Sequence, residues 1–424
     1  MDINNLLTGV SCECGVQHTC NIKYVYIEKG AVSRLNYICK DYKNVLLVAD
    51  GNTYKAAGAL TENALNDKAL KKVIFKGNEI LVPNEAAIEA VTENLSQTDI
   101  IIGIGSGVIQ DLCKYVSHQS GIPYIIVATA PSMDGYASTG AAMILGGMKV
   151  TCPAGLPLAI VADTAVLAQA PMDMLKAGFG DIIGKFSALN DWKLSKAINN
   201  EYFCDYIYNV THNQIKLTLD LAGGILKRDE KSVEALMKAL VIIGIMMSFA
   251  GSSRPASGSE HHLSHFFEIT GIIDNTEYFS HGIDVAFSTV ITARLRERLL
   301  KADFGGTLYR LPDNDYINKI TAIYKEVANG CIALQKKVGN YNANRIKLYK
   351  EKQTQIKEIL KEMPTACEIE KMLSLVKLDM ADFYKLYGKE KINNAVLYAK
   401  DLKDRYTVLW LYYDLLGKEN LSLY

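Results

Sequence analysis

DIIIGIGSGVIQDLCKYVS, residues 99–117, passes from an unbroken apolar run through alternating glycines into a helical pattern. A run such as IIIGIG (100–105), with no polar side chain at any position, suits a strand buried on both faces of a sheet. Gly103, Gly105 and Gly107 stand at its exit, and GVIQDLCKYVSHQSG reads as the helix that follows. Such a loop lets backbone N–H groups approach a pyrophosphate, and a helix N-terminus favours the negative charge. The usual dinucleotide fingerprint G-x-G-x-x-G is not met, because its third glycine would fall at Val108. A tight strand exit accounts for the same glycines.

The flanking sequence repeats the rhythm. VLLVAD (45–50) is a buried strand ending in Asp50, with the turn Gly51-Asn52 and the helical TYKAAGALTENAL after it. KKVIFKG (71–77) and EILVP (79–83) are further strand candidates, and Asn84 can cap the helix EAAIEAVTENL. IPYIIVATA (122–130) and LPLAIVAD (156–163) complete the set. Alternating strands and helices predict an α/β, Rossmann-like domain with a mostly parallel sheet over residues 1–162. Asp50 ends its strand where a carboxylate can accept from ribose hydroxyls. TAPSMDGYAS (129–138) puts a second polar loop on the same sheet edge, although a β–α turn using Pro131 and Gly135 explains it locally.

After Asp163 the texture becomes long and amphipathic, which predicts an all-α C-terminal domain over residues 163–424. In AGFGDIIGKFSALNDWKLS (177–195), Asp181 sits inside an apolar helix pattern, an awkward place for an unpaired charge, whereas Asp191 reads as a surface carboxylate. RPASGSEHHLSHFFEITGIIDNTEYFSHG (254–282) holds four of the seven histidines, a density that points to a metal or anion site. His261 and His265 share one face of a helix over Ser259–Thr270, and His262 points about 100° away. His281 opens a second helix near Ser280. Spacing alone would make His261 and His265 co-ligands; helix-end or core packing is the plainer use of any one of them. One carboxylate with histidines is an O/N set suited to zinc, nickel or ferrous iron. The Lys/Glu-rich stretch 346–362 reads as a solvated helix face.

Forty-six basic and forty-six acidic residues balance, so neither a nucleic-acid nor a membrane-surface partner is expected. ALVIIGIMMSFA (239–250) is too short a run to span a bilayer and suits a buried helix. The N-terminus lacks a secretory pattern, and nine scattered cysteines fit reduced thiols in a cytoplasm. Cys12-x-Cys14-xxx-His18 has the look of half a zinc knuckle, but no second pair stands at ligand spacing, and a turn or hairpin serves as well.

Taken together, GIGSGVIQDLCKYVS, TAPSMDGYAS, GFGDIIGKFSALNDWKLS, SSRPASGSEHHLSHFFE and FSHG (279–282) resemble the dehydroquinate synthase/iron-containing alcohol dehydrogenase superfamily. The likeness covers roughly residues 40–300 and is closest to the bacterial-type sn-glycerol-1-phosphate dehydrogenase branch. It implies a dehydroquinate synthase-like fold and reversible reduction of dihydroxyacetone phosphate, a phosphorylated triose, with NAD or NADP and one divalent metal ion. It further implies Asp181, His261 and His281 as metal ligands. Gly107, Val108, Ile109, Gln110, Asp111, Thr129, Ala130, Pro131, Ser132 and Ser138 would contact the dinucleotide, with Asp50 near the adenosine. Asp134, Asp181 and His265 would face the substrate, so the resemblance moves His265 from ligand to substrate contact. His262 takes no role from it. Arg254 and Lys185 are the candidates for the substrate phosphate, with salt-bridged structural roles as their alternative. A carboxylate at Asp50 tilts the choice towards NAD. A homo-oligomer, dimer or higher, is expected. The rival readings are a polyol dehydrogenase, a carbocycle-forming synthase on the same fold and a non-catalytic nucleotide-binding module.

Overall fold

A computed structural model describes residues 2–77, 81–146 and 148–417. The chain forms two compact units: Met1–Ile182 with Asn213–Ser253, and Ile183–His212 with Arg254–Tyr424.

The first unit is built on six parallel strands, β1 (Tyr24–Glu28), β2 (Asn44–Asp50), β3 (Ala69–Phe75), β4 (Ile100–Gly105), β5 (Tyr124–Ala128) and β6 (Ala159–Asp163), in the order β1-β6-β5-β4-β2-β3. Every residue of β4, β5 and β6 is buried, which is why these strands read as continuous apolar runs. The edge strand β3 is half exposed and carries Lys71 and Lys72, charges that discourage further pairing at an open edge. Helix α1 (Gly51–Ala64) starts at Asp50, whose carboxylate accepts from the amides of Asn52 and Thr53 at 2.8 and 3.0 Å. Helix α2 (Gly107–Ser120) leaves β4 and ends on Gly121, a left-handed C-cap at φ 72°.

Two elements went unforeseen. β1 completes one edge of the sheet, and an antiparallel hairpin pairs Gly140–Leu145 with Met148–Pro153. The strand expected over 79–83 lies partly outside the described residues, and 81–83 have no regular structure.

Helices α3 (Met172–Asn199) and α4 (Asp205–Asp220) each run unbroken through a division between the units. α5 (Glu230–Ala250), in the first unit, extends the twelve-residue apolar run to a 21-residue helix, long and apolar enough by composition to cross a membrane. Its side chains from Val233 to Phe249 are nevertheless largely buried in the protein. Among its described residues the second unit has helices and no strand, α6 (Ser259–Asp274) and α7 (His281–Lys301) among them.

Asp191 is not the surface carboxylate that its sequence context suggested. It is fully buried, pairs with the buried Arg296 at 2.7 Å, and accepts from the backbone amides of Ser259 and Val408 at 2.7 and 2.8 Å. One carboxylate thereby fixes the first turn of α6 and that of the helix Val408–Leu416.

Candidate active site

The sheet reverses its winding direction between β2 and β4: β3 follows β2 to one side, while β5 follows β4 to the other. In open α/β sheets the crevice outside such a switch point, at the carboxyl ends of the strands, is where ligands bind. Asp50 and Gly105 end these two neighbouring strands, with Ala49 paired to Ile104. Thr129 stands beside them, its amide donating to the Gly105 carbonyl at 3.0 Å.

The glycines divide their work. A Cβ on Gly105 would come within 2.6 Å of Ile109, and one on Gly103 within 2.9 Å of the Cys113 sulfur. These two let α2 pack tightly on the strand that precedes it. Only Gly107 has room, its nearest neighbour being Met133 at 3.8 Å. Ser106, the N-cap, makes no side-chain cap bond, so the first turn of α2 presents backbone donors without a serine across them.

Among the expected dinucleotide contacts, Gly107, Val108 and Asp111 have exposed surface, whereas Ile109 and Gln110 are buried. The Gln110 amide donates to the Tyr124 hydroxyl and the Tyr136 carbonyl at 3.2 and 3.1 Å, so its side chain turns into the core. Ile109 fills the space left by Gly103 and Gly105. For both, a ligand would meet backbone rather than side chain.

The loop Thr129–Ser138 is clamped from several sides. Thr129, Ala130, Pro131 and Asp134 are buried, while Ser132 and Ser138 are partly exposed. A Cβ on Gly178 of α3 would overlap the Pro131 carbonyl, and one on Gly244 of α5 would stand 2.8 Å from the Asp134 carbonyl. Both helices therefore approach the loop backbone as only glycine permits. The buried Lys114 donates to the carbonyls of Gly135 and Gly140 at 2.9 and 2.8 Å and to the Ser138 hydroxyl at 3.2 Å. Burial draws its pKa down, and the neighbouring carboxylate of Asp111 opposes that. Sequence reading passed over Lys114; its signal was a lysine one turn after Gln110 on the inward face of α2.

The Asp134 amide donates to Asp181 Oδ2 at 3.0 Å. Asp181 is fully buried on α3, three residues before Gly184, where a Cβ would meet Val285 at 2.5 Å and Glu260 at 3.3 Å. Asp181 stands in the first unit, and His261 and His281 in the second, their ring centroids 5.0 Å apart. One carboxylate and two imidazoles are a donor set that a divalent ion such as zinc, nickel or iron takes.

Its surroundings suit that use. His261 Nδ1 faces Glu260 Oε1 at 2.7 Å, and the same oxygen accepts from the Gly258 amide at 2.8 Å. An acceptor at Nδ1 leaves Nε2 with its lone pair, the tautomer a metal needs. Burial pushes the Glu260 carboxyl up, with the Gly258 amide opposing. In the sequence Glu260 reads as one residue of the helix Ser259–Thr270, with no role of its own. The signal missed was a carboxylate adjacent to a ligand-type histidine.

The His281 ring lies 5.0 Å from that of His261 and 5.5 Å from that of His265, with Ser264 Oγ at 3.3 Å from its Nδ1. His265 is outside the group of three, although helical spacing alone would have joined it to His261. The turn before His281 is pinned by Tyr387, whose hydroxyl accepts from the Phe279 amide at 3.1 Å and bonds the buried Asp284 carboxylate at 2.8 Å. Tyr387 also stacks on Phe267, with ring centroids 4.1 Å apart. The helix Met380–Tyr398, which carried no motif, therefore braces the site from behind.

His262 is fully buried, and neither ring nitrogen has a hydrogen-bond partner among the described residues. Burial, then the nearby cations Arg405, Lys403 and Arg254, hold it well below the usual histidine range. Arg254 donates to both Glu201 oxygens, to Ser195 and to the Tyr406 carbonyl, and Lys185 donates to the Ala256 carbonyl at 2.9 Å. These bonds favour the structural alternative over the phosphate role for Arg254.

Residues 26–171 match the iron-containing alcohol dehydrogenase family. The chain is 36% identical over 265 residues to the glycerol-1-phosphate dehydrogenase [NAD(P)+] of Geobacillus thermodenitrificans, covering 61% of this chain and 66% of that one. It is 32% identical over 341 residues to the Bacillus licheniformis enzyme of the same name, covering 77% and 83%. Among solved structures, a probable glycerol dehydrogenase from Sinorhizobium meliloti superposes with a TM-score of 0.56 at 18% identity, covering 90% of this chain and 89% of that one. At that identity the likeness is one of fold.

Proposed function

Because this chain belongs to the glycerol-1-phosphate dehydrogenase family, we propose that it reduces dihydroxyacetone phosphate to sn-glycerol 1-phosphate with NAD(P)H, reversibly, at the Asp181–His261–His281 centre. The observation that carries this is the pair of imidazoles, His261 and His281, 5.0 Å apart and one already seated on Glu260, with the buried Asp181 as the third donor.

In this reading residues 1–162 bind the dinucleotide and residues 163–424 hold the metal and the substrate. The first-turn amides of α2 and the loop Thr129–Ser138 receive the pyrophosphate and nicotinamide ends, and Asp50 lies by the adenosine ribose. Asp181, His261 and His281 hold a divalent ion, with zinc, nickel and ferrous iron all suited to the donor set. When bound, such an ion supplies Lewis acidity at a carbonyl under hydride attack. Glu260 keeps His261 in the ligating tautomer, and Asp134 positions Asp181 through its amide. Reduction of a ketone to an alcohol needs a proton at the oxygen, and His265, its ring 5.5 Å from that of His281, is the side chain we assign to deliver it. Cysteines that form no disulfide fit a cytoplasmic enzyme, and we take it to be a homo-oligomer.

The test is NADH oxidation by metal-stripped protein with dihydroxyacetone phosphate, adding zinc, nickel and iron in turn, with glycerol-type ketones and phosphate release as controls. Turnover that needs a metal and the phosphorylated triose is expected, and Asp181→Asn should abolish it while the protein stays folded. Parental rates from metal-free Asp181→Asn would end the assignment.

A further inference from the structure

We propose that the N-terminal hairpin carries a second metal site: a zinc-class ion held by Cys12, Cys14 and His18. Sequence left Cys12-x-Cys14-xxx-His18 as half a site. In the structure the ligand atoms of these three residues lie within 4.8 Å of one another. Zn–S bonds of about 2.3 Å in a tetrahedron put neighbouring ligands roughly 3.5–3.8 Å apart, and Cys14 Sγ already stands 3.4 Å from His18 Nε2.

Three features aim these groups at a common point. Short strands Val10–Ser11 and Gln17–His18 form the hairpin, with Cys12 and Cys14 in its loop. That loop is tightened by the Gly15 amide, which donates to the Cys12 carbonyl at 3.0 Å, with Gly15 left-handed at φ 83°. His18 is almost fully buried, and its Nδ1 lies 3.0 Å from the Phe249 carbonyl. A carbonyl only accepts, so Nδ1 carries the hydrogen and Nε2 keeps its lone pair, facing Cys14 Sγ at 3.4 Å. A backbone carbonyl orienting the far nitrogen is the usual support of a metal-bound imidazole. Stacking on Phe249, with centroids 5.2 Å apart, fixes the ring plane.

Two sulfurs and one imidazole make a softer donor set than Asp181, His261 and His281, and a water or other small donor completes the tetrahedron. The ion would lock the hairpin loop onto His18 and, through it, onto Phe249 of α5; it takes no part in the hydride reaction and does not depend on the reading of the active site. The experiment uses the full chain carrying Asp181→Asn, stripped and loaded with cobalt(II). We expect a thiolate-to-cobalt charge-transfer band in the near ultraviolet, absent when Cys12→Ser and Cys14→Ser are added. Zinc-grown parent should hold about two ions per chain and the Cys12→Ser/Cys14→Ser protein about one. No band from the cobalt-loaded chain with all three ligands intact overturns the proposal, as does a Cys12–Cys14 disulfide found in the freshly purified parent by mass spectrometry.

Discussion

Glu260 and His261 are neighbours in sequence, yet their side chains meet because Glu260 is also held by the Gly258 amide ahead of the helix. Outer partners of this kind typically change metal affinity 10–100-fold when lost. Glu260→Gln keeps the shape and removes the charge, so competition with a chelator should show metal binding weakened about tenfold. Unchanged affinity would mean that His261 needs no such partner. His262 yields a prediction of different origin. Burial holds its pKa well below the ordinary histidine value of about 6.5, so between those two values the unfolded chain binds a proton that the folded chain refuses. Stability then drops as pH falls below about 6.5, by up to about 1.4 kcal/mol per pH unit. Asp191 and Glu260, pushed up by burial, contribute with the opposite sign, so the parent-minus-variant difference isolates the histidine. His262→Leu, which leaves no orphaned nitrogen, should flatten the fall of the thermal midpoint between pH 7 and 5 in metal-free protein. Equal slopes in both proteins would contradict this. At this scale the types of the site residues were legible and their surroundings were not. A histidine cluster and an intrahelical Asp181 stand out in any reading, but whether His265 or His281 joins His261 depends on how α6 and α7 pack.

Among the elements, the helix Met380–Tyr398 shows how a segment with no motif can still govern the site. Its Tyr387 hydroxyl lies between the Phe279 amide and the Asp284 carboxylate, two groups flanking His281. Tyr387→Phe removes that bridge, leaves Asp284 buried with fewer bonds, and should cost about 1–3 kcal/mol. Thermal melting checks the stability. A weakened metal affinity in the same variant, reversed in no way by lowering the temperature, separates loss of bracing from plain unfolding. The strands and most of the helices were readable, since burial on both faces and the 3.6-residue period are written directly into composition. One misreading and one open choice share a cause. Asp191 looked like a surface residue because its partner Arg296 stands far along the chain. Gly103 and Gly105 read as a ligand cradle or as a tight strand exit, because sequence does not say which neighbour a missing Cβ makes room for, and here it is Ile109 and Cys113.

Strand order is a property of the whole sheet, and it decides where Asp50 stands. Pairing of β2 with β4 places Asp50 next to Gly105 at the point where the winding reverses, an adjacency that no local pattern in VLLVAD announces. The carboxylate is already an N-cap: Oδ1 takes the amides of Asn52 and Thr53. That bond fixes the side chain at the crevice, with a negative charge where an adenosine ribose would lie. Ribose hydroxyls can donate to it, whereas a 2′-phosphate brings like charge to an acceptor with nothing to donate. The parent should therefore show higher kcat/KM with NADH than with NADPH. Asp50→Asn retains a good cap at little cost and removes the charge, so the NADH-to-NADPH ratio should fall about tenfold, or about 1.4 kcal/mol. Asp50→Ala should shift the ratio likewise but also lose about 1 kcal/mol of stability with the cap. If the parent favours NADPH, or if the Asn variant keeps the parental ratio, the ribose does not lie beside β2, and the dinucleotide crosses the sheet edge elsewhere than at the switch point.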